Sequence, residues 1–281
     1  MAWYRLGGQE IELPRPFPEI EPFRLAKDDS SDALPPPPPA ALTCRAVGWV
    51  GGAQSEVEVW SAPPGVLLRT SGGRDFYLPP DGSSILDAGQ PTADWTPLDG
   101  EILLGPALLL ALASRGTFGL HASAAAFRGR LMVFLGESGA GKSTLAAYLS
   151  AASREWTRVG DDILPVAASP SRVEARPRFP QLKLAADSQP GAASPEQIPV
   201  SRIILLEHSD GAPAVESLPR GDAAKTLIGH TAAARLFDPR LLAAHLAFCA
   251  DAARRVPAFP LSHPRRMDAL PRLREILETL C

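Results

Sequence analysis

The feature that most constrains the fold of this chain is a glycine-rich octapeptide near its middle. Residues 136–143 read GESGAGKS and fit the phosphate-loop pattern G-x-x-x-x-G-K-[ST]. The apolar run MVFL comes directly before it, as a buried strand would, and the helix-forming run TLAAYL follows it. The octapeptide therefore predicts a strand, a loop and a helix in succession, which is a building unit of α/β domains.

Each residue type in the octapeptide has a physical role in holding phosphate groups. Its glycines let backbone N–H groups converge on phosphate oxygens without a side chain in the way. Lys142 supplies a cation for the β- and γ-phosphates, and the Ser143 hydroxyl can take one ligand position on Mg²⁺. We expect a nucleotide to contact Gly136, Glu137, Ser138, Gly139, Ala140, Gly141, Lys142, Ser143 and Thr144.

Two sets of acidic residues are candidates to complete this site, because the loop alone does not distinguish ATPases, GTPases and kinases. Asp161 and Asp162 follow a short β-like stretch, and Glu207 ends the apolar run 203–206, as the Mg²⁺-binding acid of an ATPase does. Adjacent residues of a strand face opposite sides of a sheet. Only one of Asp161 and Asp162 can therefore face the phosphates unless a bulge or loop separates them.

The rest of the chain divides by composition into three parts. Residues 1–45 contain the proline run 35–39 and predict a Pro-rich, partly disordered segment. Residues 46–96 hold short strand-like runs separated by Pro and Gly turns, which predicts a small β subdomain. Residues 97–281 carry the phosphate loop, further strand-like runs and helical patterns, which include a C-terminal leucine stripe.

Composition and charge narrow the classes of function. The chain has 28 Lys and Arg against 31 Asp and Glu, so we expect no general affinity for nucleic acid or anionic membranes. The apolar stretch 102–113 is shorter than the roughly 20 residues of a bilayer span and predicts a buried helix. The N-terminus lacks the apolar core of a signal peptide, which favours the cytoplasm. The separated Cys44, Cys249 and Cys281 suggest neither a disulfide framework nor a zinc site.

A resemblance to a known family appears in the region around the loop. The stretch LHASAAAFRGRLMVFLGESGAGKSTLAAYL, followed by RVGDDILPV, resembles the kinase domain of the HPr kinase/phosphorylase family, especially its shorter relatives found beside peptide-modification genes. In that family a histidine precedes the loop, here His121, and an aspartate pair follows it, here Asp161 and Asp162. The similarity covers about residues 118–168.

The resemblance implies an α/β fold with a phosphoenolpyruvate-carboxykinase-like P-loop kinase core over residues 97–281, beside the N-terminal β subdomain. It implies that Asp161 acts as general base on a substrate seryl hydroxyl while Lys142 and Mg²⁺ hold the transferring phosphoryl group of ATP. His121 would line the phosphate side of the site. Ser143 and Asp162 would be the metal ligands.

The chain departs from the family pattern beyond this region. It has no counterpart of the later glycine-rich signature whose Glu helps bind Mg²⁺, and Asp187 is the candidate at a similar distance. The family also leads us to expect an arginine from the C-terminal part near the phosphates, for which Arg220 and Arg235 are candidates.

The sequence thus predicts an ATP- and Mg²⁺-dependent kinase that phosphorylates a serine hydroxyl of a protein or a ribosomally made peptide. One alternative is a P-loop ATPase whose acid is Glu207. The other alternative is a nucleotide-gated module that binds a peptide without phosphotransfer. The resemblance is also compatible with a homo-oligomer.

Overall fold

The computed structural model of the protein describes residues 1–27, 37–50, 52–89, 94–181 and 194–281. The chain is a mixed α/β protein with several sheets. It divides into two compact units. The first unit contains residues 1–118 and 233–245, and the second contains residues 119–232 and 246–281. The first two residues of the proline run, the polar residues 28–32 and Asp187 lie outside the described residues.

The first unit contains a short hairpin and a larger antiparallel sheet with the strand order β3-β4-β5-β6-β7. The hairpin turns at Gly7 and Gly8, whose φ angles of 54° and 73° suit the tight two-residue turns of hairpins. The strands of this unit are β1 (Ala2–Leu6), β2 (Gln9–Leu13), β3 (Ala41–Val50), β4 (Ala53–Ala62), β5 (Gly65–Thr70), β6 (Phe76–Leu78) and β7 (Leu86–Asp87).

A long helical segment accompanies these strands. It consists of α1 (Pro97–Ile102), a π-helical turn (Leu103–Ala107) and α2 (Leu108–Ser114). Thr96 and Asp99 form a capping box that starts it, in which each side chain bonds to the backbone of the other residue. Among the described helices, Pro97–Ser114 is the one whose length and composition could cross a membrane, and 61% of it is buried inside the protein. The apolar stretch 102–113 is thus a buried helix, as predicted.

The structure differs from the predicted division of the chain at two points. Residues 1–27 contain the hairpin and a 3-10 helix (Pro18–Phe23) rather than a partly disordered segment. The reason is the alternation of apolar residues in the first strand, where Ala2, Tyr4 and Leu6 are fully buried. The helical segment Pro97–Ser114 also belongs to the first unit and not to the unit that carries the phosphate loop.

The second unit is built on a mixed sheet, whose strands are β8 (Thr117–His121, beginning at the end of the first unit), β9 (Ser123–Phe127), β10 (Arg130–Leu135), β11 (Trp156–Gly160), β12 (Ile163–Ala168), β13 (Val173–Ala175), β14 (Ile198–His208), β15 (Ala214–Val215) and β16 (Ala258–His263). The strand order is β11-β9-β10-β14-β13-β12-β8, and β16 pairs with β14 and β15. Strands β10, β14 and β16 are parallel, so their carboxyl ends meet at one edge of the sheet. Ligands bind at such edges in α/β proteins.

Helices accompany this sheet, and two of them contribute to its buried cluster. They are α3 (Lys142–Ala152), α4 (Arg220–Gly229), α5 (Pro239–Arg255, beginning in the first unit) and α6 (Leu270–Thr279). Leu145 and Leu149 of α3 and Leu273 and Leu277 of α6 share one buried cluster with Phe134 of β10. The C-terminal leucine stripe therefore faces the core, as its helical spacing predicts.

Two stretches rich in strand-forming residues are interrupted in the structure. The apolar run 120–127 is divided at Ala122 into the end of β8 and all of β9. The run 158–166 is divided into β11 and β12, and Asp161 and Asp162 occupy the turn between them. These two interruptions place His121 and the aspartate pair at ends of strands rather than inside them.

We expect Leu273→Ala to lower the free energy of unfolding by about 2–5 kcal/mol, because it opens a cavity in the core under α6. Leu273 is 1% exposed, whereas the nearby Met267 is 68% exposed and its replacement by Ala is the matched control. Urea denaturation followed by circular dichroism measures both variants. Equal losses in the two variants would contradict the placement of α6 in the core.

Candidate active site

The phosphate loop connects β10 to α3 through a backbone that glycine permits. Gly136, Gly139 and Gly141 have φ angles of 144°, 80° and 94°. A Cβ atom on Gly136 would lie 2.8 Å from the carbonyl oxygen of Leu206 in β14, closer than side chains are found. The first glycine of the motif is therefore required both by its backbone conformation and by the close approach of the neighbouring strand.

The side chain of Lys142 lies against the loop and does not extend into solvent. Lys142 is 7% exposed. Its ammonium donates hydrogen bonds to the carbonyl oxygens of Gly136 at 2.6 Å and Glu137 at 3.1 Å. The charge is therefore held at the loop, at the N-terminus of α3, where backbone N–H groups and the helix dipole also favour an anion.

The carboxylate of Asp161 is the centre of a hydrogen-bond network beside the loop. Its Oδ1 accepts the Ser143 hydroxyl at 2.8 Å and also accepts the hydroxyl of Ser123 in β9. Its Oδ2 accepts a guanidinium N–H of Arg158 at 2.5 Å. Asp161 is 6% exposed. The loop hydroxyl expected to bind metal and the first aspartate of the pair are therefore in direct contact.

Two opposing effects act on the ionisation of Asp161. Burial by itself raises the pKa of this carboxyl, because it disfavours the charged form. The hydrogen bonds from Ser123 and Ser143, together with the charge of Arg158, favour the carboxylate and hold its pKa below the ordinary value. Asp161 is thus ionised near neutral pH.

The second aspartate leaves the same turn in another direction. Asp162 has a φ of 66°, a left-handed conformation that aspartate tolerates better than most side chains. Its carbonyl accepts the backbone N–H of Ala122 at 3.1 Å. Its Oδ1 lies 3.7 Å from Nδ1 of His121, at the end of β8. Asp161 and Asp162 thus lie in the turn between β11 and β12, where their side chains are not forced to opposite faces of a strand.

A second histidine, His230, lies beside the first. Its carbonyl accepts the backbone N–H of His121 at 2.7 Å, which ties the end of α4 to β8. Burial, and then the positive charge of Lys142, lower the pKa of His230. This imidazole is therefore neutral near pH 7 and shares the electrostatic environment of the loop lysine.

A third histidine lies directly against the phosphate loop. His263, the last residue of β16, is 7% exposed, and its Cε1 is 3.9 Å from the position of a Cβ on Gly141. Its Nδ1 lies 3.0 Å from the carbonyl oxygen of Pro264. Among the described residues, its buried Nε2 has no hydrogen-bond partner. The imidazole thus packs against the start of α3.

Several residues at or beside this site were not found from the sequence. They are Ser123, Arg158, Gln181, His230 and His263. Isolated residues of these types carry no motif. For Arg158 the available signal was its position three residues before Asp161 and next to the expected site.

The remaining candidates lie elsewhere. Glu207, near the end of β14, is exposed. The acidic residue that accepts the hydroxyl of Ser143 is Asp161 and not Glu207. Arg220 is exposed at the start of α4, and Arg235 belongs to the first unit.

The oxygen atoms beside the loop suit Mg²⁺. Within the described ranges no group of three or more His, Cys, Asp or Glu residues forms a metal cage. Mg²⁺ in phosphate-loop enzymes does not require such a cage, because a loop Ser or Thr and one Asp hold it together with phosphate oxygens and water. The 2.8 Å contact between Ser143 and Asp161 brings these two oxygen donors together.

Comparison with protein-family models finds no match to this chain, and comparison with curated proteins finds none either. Among solved structures, the chain is similar to an Hpr(Ser) kinase/phosphatase from Coxiella burnetii. The sequence identity is 13% and the TM-score is 0.34, over 57% of this chain and 94% of that chain.

We expect Arg158→Met to raise the pKa of Asp161, because the variant removes a neighbouring positive charge while burial remains. In the wild-type protein the folded pKa lies below the unfolded value of about 3.9, so ionised Asp161 stabilises the fold above that value. This stabilisation is lost as the pH falls through the folded pKa, and in the variant the loss occurs at higher pH.

A carboxyl-carbon NMR titration of Asp161 measures the shift. The matched control is Arg254→Met, which removes an exposed guanidinium that pairs with Asp251. An unchanged Asp161 titration in Arg158→Met would show that Arg158 does not set the pKa.

Proposed function

We propose that this protein is an ATP-dependent kinase that transfers the γ-phosphoryl group of ATP to a serine hydroxyl. The observation that carries the proposal is the joint arrangement of the phosphate loop, the Ser143–Asp161 contact and the neighbouring His121–Asp162 pair. A loop alone would support nucleotide binding. An additional carboxylate beside a histidine supplies a group that can take the proton of an acceptor hydroxyl.

Mg²⁺ is the cofactor of this proposal, with Ser143 and Asp161 as the residues that would hold it. When bound, Mg²⁺ would neutralise the negative charge that develops on the transferring phosphoryl group. Lys142 contributes a second positive charge at the loop, and the N–H groups at the start of α3 bind phosphate oxygens.

The transfer forms a bond between the acceptor oxygen and the γ-phosphorus and breaks the bond between that phosphorus and the bridging oxygen of ADP. The acceptor hydroxyl is a weak nucleophile near neutral pH, so a carboxylate must take its proton. Asp161 already accepts Ser123, Ser143 and Arg158, and its depressed pKa weakens it as a base. We therefore propose that Asp162, beside His121, is the base.

This assignment exchanges the two aspartate roles that the family resemblance implies, which were Asp161 as base and Asp162 as metal ligand. Both assignments use the same turn and the same loop. The exchange is favoured because the loop hydroxyl bonds to Asp161 and the histidine pairs with Asp162.

The acceptor class in this proposal is a protein or a ribosomally made peptide in the cytoplasm. It is supported by the resemblance of residues 118–168 to the HPr kinase/phosphorylase family and its shorter relatives. The proposal places these residues within a phosphoenolpyruvate-carboxykinase-like P-loop kinase core. Mass spectrometry of candidate peptides co-expressed with this protein identifies the acceptor by an added phosphate.

We expect Lys142→Ala to reduce phosphotransfer by at least about a hundredfold, because it removes the main positive charge of the loop. The measurement is transfer of labelled γ-phosphate from ATP to serine-containing proteins and peptides. Lys225→Ala, which removes an exposed lysine of α4, is the matched control and should retain the wild-type rate.

Other outcomes favour the alternatives. ATP hydrolysis without an acceptor that is lost in Glu207→Gln but kept in Asp161→Asn would favour the ATPase. Tight ATP binding without turnover under any partner would favour the nucleotide-gated binding module. Either result would overturn the kinase proposal.

We expect the two aspartates to differ in kinetic effect. Asp162→Asn should lower kcat by about a hundredfold or more, which is the usual contribution of a general base, with an unchanged requirement for Mg²⁺. Asp161→Asn should raise the Mg²⁺ concentration needed for half-maximal rate, because it weakens the metal ligand beside Ser143. Steady-state kinetics over a Mg²⁺ titration measures both. The opposite pattern would restore the roles that the resemblance implies.

A further inference from the structure

The turn that carries the two aspartates is held by a side chain that belongs to no sequence motif. Gln181 is 2% exposed, and its amide group lies against the turn. Its Oε1 accepts the backbone N–H of Asp161 at 3.0 Å, and its Nε2 donates to the carbonyl of Ile163 at 2.9 Å. The backbone determines the orientation of the amide, because an N–H only donates and a C=O only accepts.

The amide completes the hydrogen bonding of the turn. Ile163 N–H donates to the carbonyl of Asp161 at 2.9 Å, which closes a three-residue turn around Asp162. This bond uses the carbonyl of Asp161 and the N–H of Ile163. Gln181 pairs with the two groups that remain, which are the N–H of Asp161 and the carbonyl of Ile163. The side-chain amide therefore supplies the acceptor and the donor that a peptide group of a neighbouring strand would supply. Nε2 also donates to the carbonyl of Phe179 at 3.4 Å.

The turn needs such support because its central residue is in an uncommon conformation. A three-residue turn with positive φ at its centre is rare and strained, and Asp162 has a φ of 66°. Strain of this kind persists where the surrounding structure holds it, and it concentrates at functional sites. Here the conformation directs the carboxylate of Asp161 to Ser143 and that of Asp162 to His121.

We propose that Gln181 is a positioning residue that fixes both aspartates relative to the phosphate loop. This inference rests on the proposed function. Gln181 acts through the backbone of the turn, because its amide bonds to the backbone groups of Asp161 and Ile163. Without its amide, two backbone groups lose their partners and the turn relaxes, which moves both carboxylates.

Two variants of Gln181 test the inference. Gln181→Met replaces the amide by an apolar group of similar length. Gln181→Glu keeps an acceptor for Asp161 N–H but replaces the donor to Ile163 by an oxygen, so it keeps the inference testable if the first variant does not fold. The matched control is Gln9→Met, which removes an amide hydrogen bond to Thr117 within the first unit.

The measurements are kcat for phosphotransfer and the Kd of ATP by calorimetry with and without Mg²⁺. We expect both Gln181 variants to lower kcat by about tenfold to a hundredfold, because small displacements of catalytic groups have effects of this size. The increase in ATP affinity on adding Mg²⁺ should shrink, since Asp161 moves from Ser143. ATP affinity without Mg²⁺ should stay at the wild-type value in both Gln181 variants. In Gln9→Met, kcat and the Kd of ATP with and without Mg²⁺ should all stay at their wild-type values.

Two results would overturn the inference. One is a folded Gln181→Met protein with wild-type kcat and wild-type Mg²⁺ enhancement of ATP binding. The other is a loss of Mg²⁺-free ATP affinity by the same factor as kcat, which would indicate general damage to the loop. If the wild-type protein transfers phosphate to no acceptor, the proposed function fails, and the Mg²⁺ enhancement of ATP binding still decides the role of Gln181.

Discussion

The candidate site depends on the hydrogen bonds that the buried carboxylate of Asp161 accepts. A buried carboxylate is unfavourable unless charges and hydrogen bonds compensate it. Here the compensation comes from the phosphate loop through Ser143, from β9 through Ser123, and from β11 through Arg158. One ionised group therefore joins three elements of the second unit. The position of the loop and the position of the aspartate turn are consequences of the same network.

Neighbouring carboxylates in this turn meet different environments. Asp161 is buried among donors, whereas the side chain of Asp162 is 19% exposed and lies beside His121. The surroundings of a carboxylate, rather than its residue type, decide how readily it ionises. The left-handed backbone at Asp162 interrupts the strand, so the two side chains need not point to opposite faces of the sheet, as they would in a regular strand.

Much of the fold follows from local patterns in the sequence. The phosphate loop with its flanking strand and helix, the strands around residues 56–78 and the leucine stripe of α6 all lie where periodicity and turn residues indicate. The N-terminal hairpin was missed because the later proline run dominated the composition of residues 1–45. Its own evidence, the burial of alternate residues Ala2, Tyr4 and Leu6, is a pattern of only a few positions.

The loop motif and the order of His121, Lys142 and the aspartate pair are readable from the sequence, because they match a pattern of residue types at a recognisable spacing. Only folding of the chain brings Asp161 to Ser143 and Asp162 to His121, and places Gln181 and His230 where they bond to the neighbouring backbone. The reason is that these contacts join residues far apart in the chain. Their geometry depends on strand pairing and on one left-handed residue, and no local pattern encodes either.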